Sequence, residues 1–253
     1  MQTKMRFAVA AALFCLSASS LAAPPAIYTN AVAQNGRPAE AVALDAGRKP
    51  AEVLEFLGLK SGMTAADVIT GSGYWAEIMA RVVGPKGQVT AFEPDQFYTD
   101  PEEQKVWALL QQRRPDIRFV RYPFDAFAAA PGSFDFLIIN LNYHDLYWES
   151  EKYHIPRSDP SAFVRALYAA AKPGGVVGVI DHVGPAGDTR AIVNKMHRID
   201  PATVKADFEA AGFRLEAESP ILRNPDDDHT KGVFDPAVRG KTDRFLYRFR
   251  KPR

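Results

Sequence analysis

Two short stretches hold the side chains best suited to chemistry. In "INLNYHDLY", residues 139–147, an apolar run ends in Asn140, Asn142, Tyr143, His144 and Asp145; in "VIDHVG", residues 179–184, another ends in Asp181 and His182. A histidine near its ordinary pKa can take a proton from a hydroxyl or an amine, so His144 and His182 are candidate general bases, with Asp145 beside them. A second use is a cation held between Asp145 and Asp181, since carboxylate and imidazole ligands suit magnesium, manganese or a softer ion. A third is structural, with the two aspartates capping turns or pairing with arginines and His144 packed beneath. All three stand at this stage, and no residue is assigned to a metal. Trp75, Tyr143, Tyr147 and Trp148 read either as an apolar pocket rim or as core. Near the end of the chain, "NPDDDHTKGVFDPAVRGKTD" is a long loop of the kind that often serves as a lid. Its acidic run could meet a cation or simply face water.

A third stretch, "AADVITGSGYWAEIMA" from Ala65 to Ala80, joins an apolar run ending in Asp67 to a helical pattern through Gly71 and Gly73. Glycines there let the backbone approach a ligand and adopt positive φ. Glu93 ends the next apolar run, where an acidic side chain can hold both hydroxyls of a ribose.

These residues need a scaffold that collects chain turns on one edge, and the patterning supplies it. "TAADVIT", "GQVTAFEP", "DIRFVRYP", "FDFLIINLNY" and "VVGVIDH" read as strands, the fourth apolar enough to be buried on both faces. Helical patterns alternate with them. "GRKPAEVLEFLGLKSGM" has Pro50 in its first turn and Gly58 at its end, and "YWAEIMARVVG" stops at Gly84. "EEQKVWALLQQR" follows. "DPSAFVRALYAAAKPGG" is expected to start at Asp159 and stop in a Pro-Gly-Gly turn, and "DPATVKADFEAAGF" to start at Asp200. Two late strands, "RLEAESPIL" and "DRFLYRFRK", close the chain; the latter alternates with period two. The expected fold is α/β, a doubly wound, mostly parallel seven-stranded sheet with an antiparallel terminal pair. Ligands of such sheets lie beyond the carboxyl ends of the strands.

Over roughly Asp45 to Phe249 the chain resembles the class I S-adenosylmethionine-dependent methyltransferases. "DVITGSG" stands as the first motif, Glu93 as the ribose acid, "FDFLIINL" as the fourth strand and "AAAKPGGVVGVIDH" as the helix, turn and fifth strand. More narrowly it is similar to exported predicted methyltransferases that carry "GYW" after the glycine loop and "YHD" after the fourth strand. The resemblance implies S-adenosylmethionine as cofactor, held by Asp67, Gly71, Gly73, Tyr74, Glu93 and Asn140. It implies methyl transfer, on a small molecule, with His144, Asp145 and His182 at the catalytic edge. One departure matters: Ile69 stands where the family pattern has its first glycine. Two alternatives remain. Gly71-Ser72-Gly73-Tyr74-Trp75-Ala76 formally satisfies the dinucleotide fingerprint of a nicotinamide-dependent oxidoreductase. An exported, non-catalytic ligand-binding protein on the same fold would also fit, because the methyl donor is made in the cytoplasm.

Composition narrows the rest. With 253 residues, 47% of them hydrophobic, the chain can build a sizeable core, and a formal net charge of +1 argues against a nucleic-acid partner. Residues 1–22 read as a signal peptide: basic Lys4 and Arg6, an apolar run from Phe7 to Leu16, and Ser20-Leu21-Ala22 as a small-x-small cleavage site. The run is short for a membrane span, so no stable insertion is expected after cleavage. The only cysteine, Cys15, falls inside this segment. Residues 23–44 are expected to form an extended arm and residues 45–253 the methyltransferase-like domain, in a periplasmic or secreted protein. The expected mature N-terminus is near Ala23, and N-terminal sequencing of the protein recovered outside the cytoplasm checks it; intact Met1 on cytoplasmic protein would refute it.

Overall fold

The structure, a computed structural model, describes residues 23–253, so the expected signal peptide lies outside the described residues. Seven strands form one sheet: β1 (Thr64–Val68), β2 (Gln88–Pro94), β3 (Ile117–Tyr122), β4 (Phe134–Asn140), β5 (Ala171–His182), β6 (Arg214–Ser219) and β7 (Arg244–Arg250). Their order is β3-β2-β1-β4-β5-β7-β6. β7 runs antiparallel to both neighbours, and every other pairing is parallel. Helices α4 (Pro50–Leu57), α5 (Tyr74–Val83) and α6 (Pro101–Arg113) cover one face, and α7 (Pro160–Ala170) and α9 (Pro201–Ala210) the other. β4 explains why both faces are needed: Leu137 and Ile139 join one core, Phe136 and Ile138 the other, and all four are buried.

Several caps fall where the residue types place them. Asp100, Asp159 and Asp200 each accept a backbone N–H in the first turn of α6, α7 and α9, with proline as the next residue. Gly58 closes α4 with φ 80°. Two expectations are corrected, and one further helix is found. The extended arm is instead helical over α1 (Ala26–Ala33) and α2 (Ala39–Ala43), continuing through α3 (Asp45–Arg48). Its alanines favour helix, and Tyr28, donating to the Leu59 carbonyl at 2.8 Å, anchors it on the domain. The Pro-Gly-Gly segment is a bulged start of β5 and not a free turn: its Gly174 N–H donates to Lys251 O, and the Lys251 N–H to Gly175 O. An unexpected helix, α8 (Thr189–Met196), follows β5; it is polar on average, and only Val193 is buried.

The loop between β1 and α5 is fastened from several sides. The buried Asp67 carboxylate accepts both the Thr70 hydroxyl at 2.6 Å and the Ala76 N–H at 2.9 Å. Thr70 N–H donates to Phe92 O, Gly71 N–H to the Glu93 carboxylate at 2.9 Å, and the Trp107 indole N–H to Gly71 O at 2.6 Å. The path demands left-handed backbone at three positions, with φ 57° at Ile69, 55° at Gly71 and 76° at Gly73. Ile69 therefore keeps the glycine-type conformation without being glycine. An L-residue there costs roughly 1–2 kcal/mol. Its side chain is buried in the core with Phe92, which offsets that cost by roughly 1.5–3 kcal/mol.

Gly73 has a different reason. A Cβ there would lie 3.0 Å from the Trp107 ring and closer still to Leu110, so this glycine lets α6 pack on the start of α5. At Gly71 an added Cβ meets nothing within 4 Å. Gly73→Ala should accordingly lower stability by about 2–5 kcal/mol in urea unfolding, strain plus overpacking, and Gly71→Ala by only about 1–2 kcal/mol. At position 69 the usual order of helix and strand hosts should invert: Ile69→Gly should be at least as stable as Ile69→Ala, because glycine alone escapes the left-handed cost. A lower denaturation midpoint for Ile69→Gly than for Ile69→Ala would show that φ at this position is not what limits it.

Candidate active site

A cavity of about 1170 Å³ opens above the carboxyl ends of β1, β2, β4 and β5. That exceeds the volume usual for one small ligand and suits two neighbouring ones. The glycine loop and Glu93 form one wall, the turn after β4 and the end of β5 the opposite wall. Residues 43–48 and 233–244 roof it.

On the first wall Asp67, Gly71, Glu93 and Asn140 line the cavity, as does Ile69. Gly73 and Tyr74, expected to touch a cofactor, are not part of the lining. Gly73 faces α6, and the Tyr74 hydroxyl donates to Asp45 at 2.7 Å while the Arg48 guanidinium lies 4.3 Å from its ring centre. Tyr74 is thus the tie between the glycine-loop helix and the N-terminal segment. Burial pushes the Glu93 carboxyl up to about 8, opposed by the Gly71 N–H and reinforced by nearby Glu103 and Asp67. Burial likewise raises Asp67 to about 7 against its hydrogen bonds from Thr70 and Ala76 and the charge of Arg48. Trp75 also lines the cavity, and its buried indole N–H has no acceptor among the described residues.

The second wall is built on Asp181, which is fully buried at the end of β5. Its carboxylate accepts the His144 backbone N–H at 2.8 Å and contacts His144 Nδ1 at 2.8 Å. His144 therefore presents Nε2, which lies 3.3 Å from Asp145 Oδ1. Asp145 is held in turn by the Asn142 amide at 3.2 Å. Asp181 holds His144 through both its backbone N–H and its ring, so of the readings open for the two aspartates the structure favours an orienting role for Asp181 over a cation shared with Asp145. Burial disfavours the charged form of His144, but Asp145 and then Asp181 outweigh it and raise its pKa to about 9. His182 is the reverse case. Burial, then the neighbouring charges of His144 and Arg244, hold it well below the usual histidine range. Its Nδ1 lies 2.7 Å from Thr242 Oγ1. The two histidines are thus pushed in opposite directions, His144 up by its two aspartates and His182 down by burial and neighbouring positive charge.

Three residues of the cavity lining carry no signal in the sequence pattern. His197 caps α8 with φ 51° and lies 3.6 Å from Asp145 Oδ1. Arg48 and Arg244 are both cavity-lining, and among the described residues neither lies within ion-pair distance of a carboxylate. Burial and the proximity of Arg48 lower the pKa of Arg244 to about 10. A lone histidine after a helix and arginines in an N-terminal helix and a terminal strand look like ordinary surface residues until the fold gathers them.

The aromatic residues divide. Trp75 and Trp148 line the cavity; Tyr143 and Tyr147 both donate to Asp207, at 2.7 and 2.5 Å, and belong to the packing below. The long loop before β7 does roof the cavity, but its acidic run holds the loop in place. Asp227 pairs with the fully buried Arg198 at 2.9 Å and accepts the Asp243 N–H, and Asp228 accepts from Thr230.

Comparison with known proteins matches this picture. A family model described as protein-L-isoaspartate(D-aspartate) O-methyltransferase matches residues 26–107, which hold the glycine loop and Glu93. Among solved structures, a SAM-dependent methyltransferase from Aquifex aeolicus aligns at 21% identity with a TM-score of 0.57, over 85% of this chain and 99% of the other. An S-adenosylmethionine-dependent methyltransferase from Mesorhizobium loti aligns at 15% identity and TM-score 0.57, over 82% and 100%. A protein from Bordetella parapertussis described as exported aligns at 18% identity and TM-score 0.52, over 89% and 78%. No curated protein matches the chain. The sheet order, the antiparallel β7 and these likenesses together establish that the chain has the Rossmann-like methyltransferase fold.

Proposed function

We propose that the chain is an S-adenosylmethionine-dependent methyltransferase acting on a small molecule, and that it works outside the cytoplasm. The observation that carries the reading is Glu93. It is an acid at the end of β2, buried against the Gly71 N–H and lining the cavity, where it can accept from a ribose diol. The residues present suit that cofactor: Gly71 leaves room against the loop, and Arg48 beside the loop offers a guanidinium to a carboxylate. When bound, that cofactor supplies a methyl group on a sulfonium.

The chain's own part is to position. Asn140 and Asn142 stand at the β4 end, between the glycine loop and the second wall. Trp148 and the exposed Tyr153 and Phe234 give the mouth an apolar, aromatic lining that suits a small organic substrate. Holding two reactants in line can supply most of a rate enhancement without a protein base.

The nicotinamide reading is disfavoured by the loop itself. A dinucleotide needs free N–H groups at the start of the helix for its pyrophosphate. Here the Gly71 and Ala76 N–H groups already serve the carboxyl groups of Glu93 and Asp67. A non-catalytic binder would share the cofactor site and differ only in showing no turnover.

Calorimetry with S-adenosylmethionine or its demethylated product tests the reading. Glu93→Gln should weaken binding at least tenfold, about 1.4 kcal/mol or more, with the fold intact by circular dichroism. The wild type should also show a pH signature. In the free protein the Glu93 pKa of about 8 lies above its ordinary 4.5. Ribose hydroxyls donate to the ionised form, so binding releases a proton below pH 8, and affinity should rise with pH up to that point and then level off. The unliganded protein should show the opposite trend in stability: a raised carboxyl contributes fully below 4.5, and that contribution is lost as pH rises through 8. Equal affinity for wild type and Glu93→Gln, with no proton release, would exclude Glu93 from the cofactor site.

A further inference from the structure

We propose that His144, Asp145 and His197 form a binding site for one divalent transition-metal ion at the back of the cavity. The site stands on these side chains alone, whether or not the neighbouring pocket takes a methyl donor. His144 Nε2, Asp145 Oδ1 and His197 Nδ1 converge from two separate elements, the turn after β4 and the end of α8. His144 Nε2 and His197 Nδ1 lie 3.3 and 3.6 Å from Asp145 Oδ1, and all three ligand atoms fall within 4.8 Å of one another. Metal–ligand bonds of about 2.1 Å at tetrahedral or octahedral angles place ligand atoms roughly 3.0–3.4 Å apart, close to the 3.3 and 3.6 Å that separate the two imidazole nitrogens from Asp145 Oδ1. Two imidazoles with one carboxylate select an ion of the iron-to-zinc range over magnesium or calcium, which prefer oxygen throughout.

The surroundings are those a metal site requires. Asp181 holds His144 Nδ1 at 2.8 Å, which fixes the ring and leaves Nε2 as the outward nitrogen; a carboxylate behind a ligating histidine is the usual support of such a ligand. The Asn142 amide donates to the other oxygen of Asp145, leaving Oδ1 for the ion. His197 is fixed more firmly than a helix end normally is. It holds left-handed backbone, and the Trp148 and Phe234 rings each pack on it at 5.0 Å. The next residue, Arg198, is fully buried and bonded to Val183 O, Lys231 O and Asp227. Gly184 makes the approach feasible: a Cβ there would come within 2.9 Å of Ile199 N, so only glycine lets the 197–199 segment lie against the end of β5. All three ligands line the cavity, and the ion's remaining positions would open into it.

Cobalt(II), whose visible d–d bands report nitrogen and oxygen coordination, is the probe, added to the untagged mature chain after chelator treatment. One cobalt per chain with d–d bands is expected, and zinc should displace it. His197→Ala and Asp145→Asn, each checked for folding by circular dichroism, should weaken cobalt binding at least tenfold. His229→Ala, in the roof loop, should leave it unchanged. Absence of d–d bands with the wild type would overturn the proposal, as would bands that persist in both His197→Ala and Asp145→Asn or that vanish in His229→Ala.

Discussion

The buried carboxylate of Asp67 is the interaction on which the cofactor side depends. One oxygen receives both the Thr70 hydroxyl and the Ala76 N–H. It thereby closes the glycine loop on itself and caps α5 from inside the protein. A buried acid is costly unless its hydrogen bonds are satisfied, and here the partners come from the loop that must be shaped. Once the loop is closed, the Gly71 N–H meets Glu93 and the two strand ends β1 and β2 act as one surface. The same closure sets Tyr74 at the start of α5. There it binds Asp45, which is in turn gripped by both terminal nitrogens of Arg37. The N-terminal helices are thus tied to the cofactor loop through a short chain of polar contacts, and the roof segment carrying Arg48 is positioned by it.

Ile69 shows how a family motif can change without losing its shape. The loop requires φ near 57° at that position, and the constraint is imposed by Asp67 behind it and Thr70 ahead of it. Glycine would meet the requirement freely. Isoleucine meets it because its side chain drops into the core with Phe92. The strain is local and the burial is local, so the substitution exchanges backbone freedom for packing.

The opposite wall follows the same logic with a second buried acid. Asp181 has no exposure, and it uses both oxygens on His144 while also accepting the N–H of His182. Its role is to orient, as Asp67's is. The roof is then fixed by Arg198, whose three nitrogens reach the β5 end, the loop before β7 and Asp227. The acidic run of that loop reads as solvated or metal-binding in isolation. In the fold it is the counter-charge that lets a fully buried arginine exist.

The sequence by itself determined the architecture: five apolar runs alternating with capped helical patterns, and a period-two terminal strand, suffice for a doubly wound sheet with an antiparallel ending. It also located the two edges of the cavity, because strand ends are marked by the switch from apolar to polar residues at Asp67, Glu93, Asn140 and Asp181. Those signals are short-range and repeat with the period of the element, so they survive in one dimension. Tertiary structure alone decided what each edge residue does. Whether Gly73 serves a ligand or a neighbouring helix depends on Trp107 and Leu110, which lie on another helix. Which nitrogen His144 presents to the cavity depends on Asp181, brought over by the next strand. His197, Arg48 and Arg244 belong to the site only because left-handed turns, a buried arginine and an antiparallel strand return distant chain segments to one rim. Burial and charge–charge distance set protonation and partner choice, and neither quantity exists until the chain has folded.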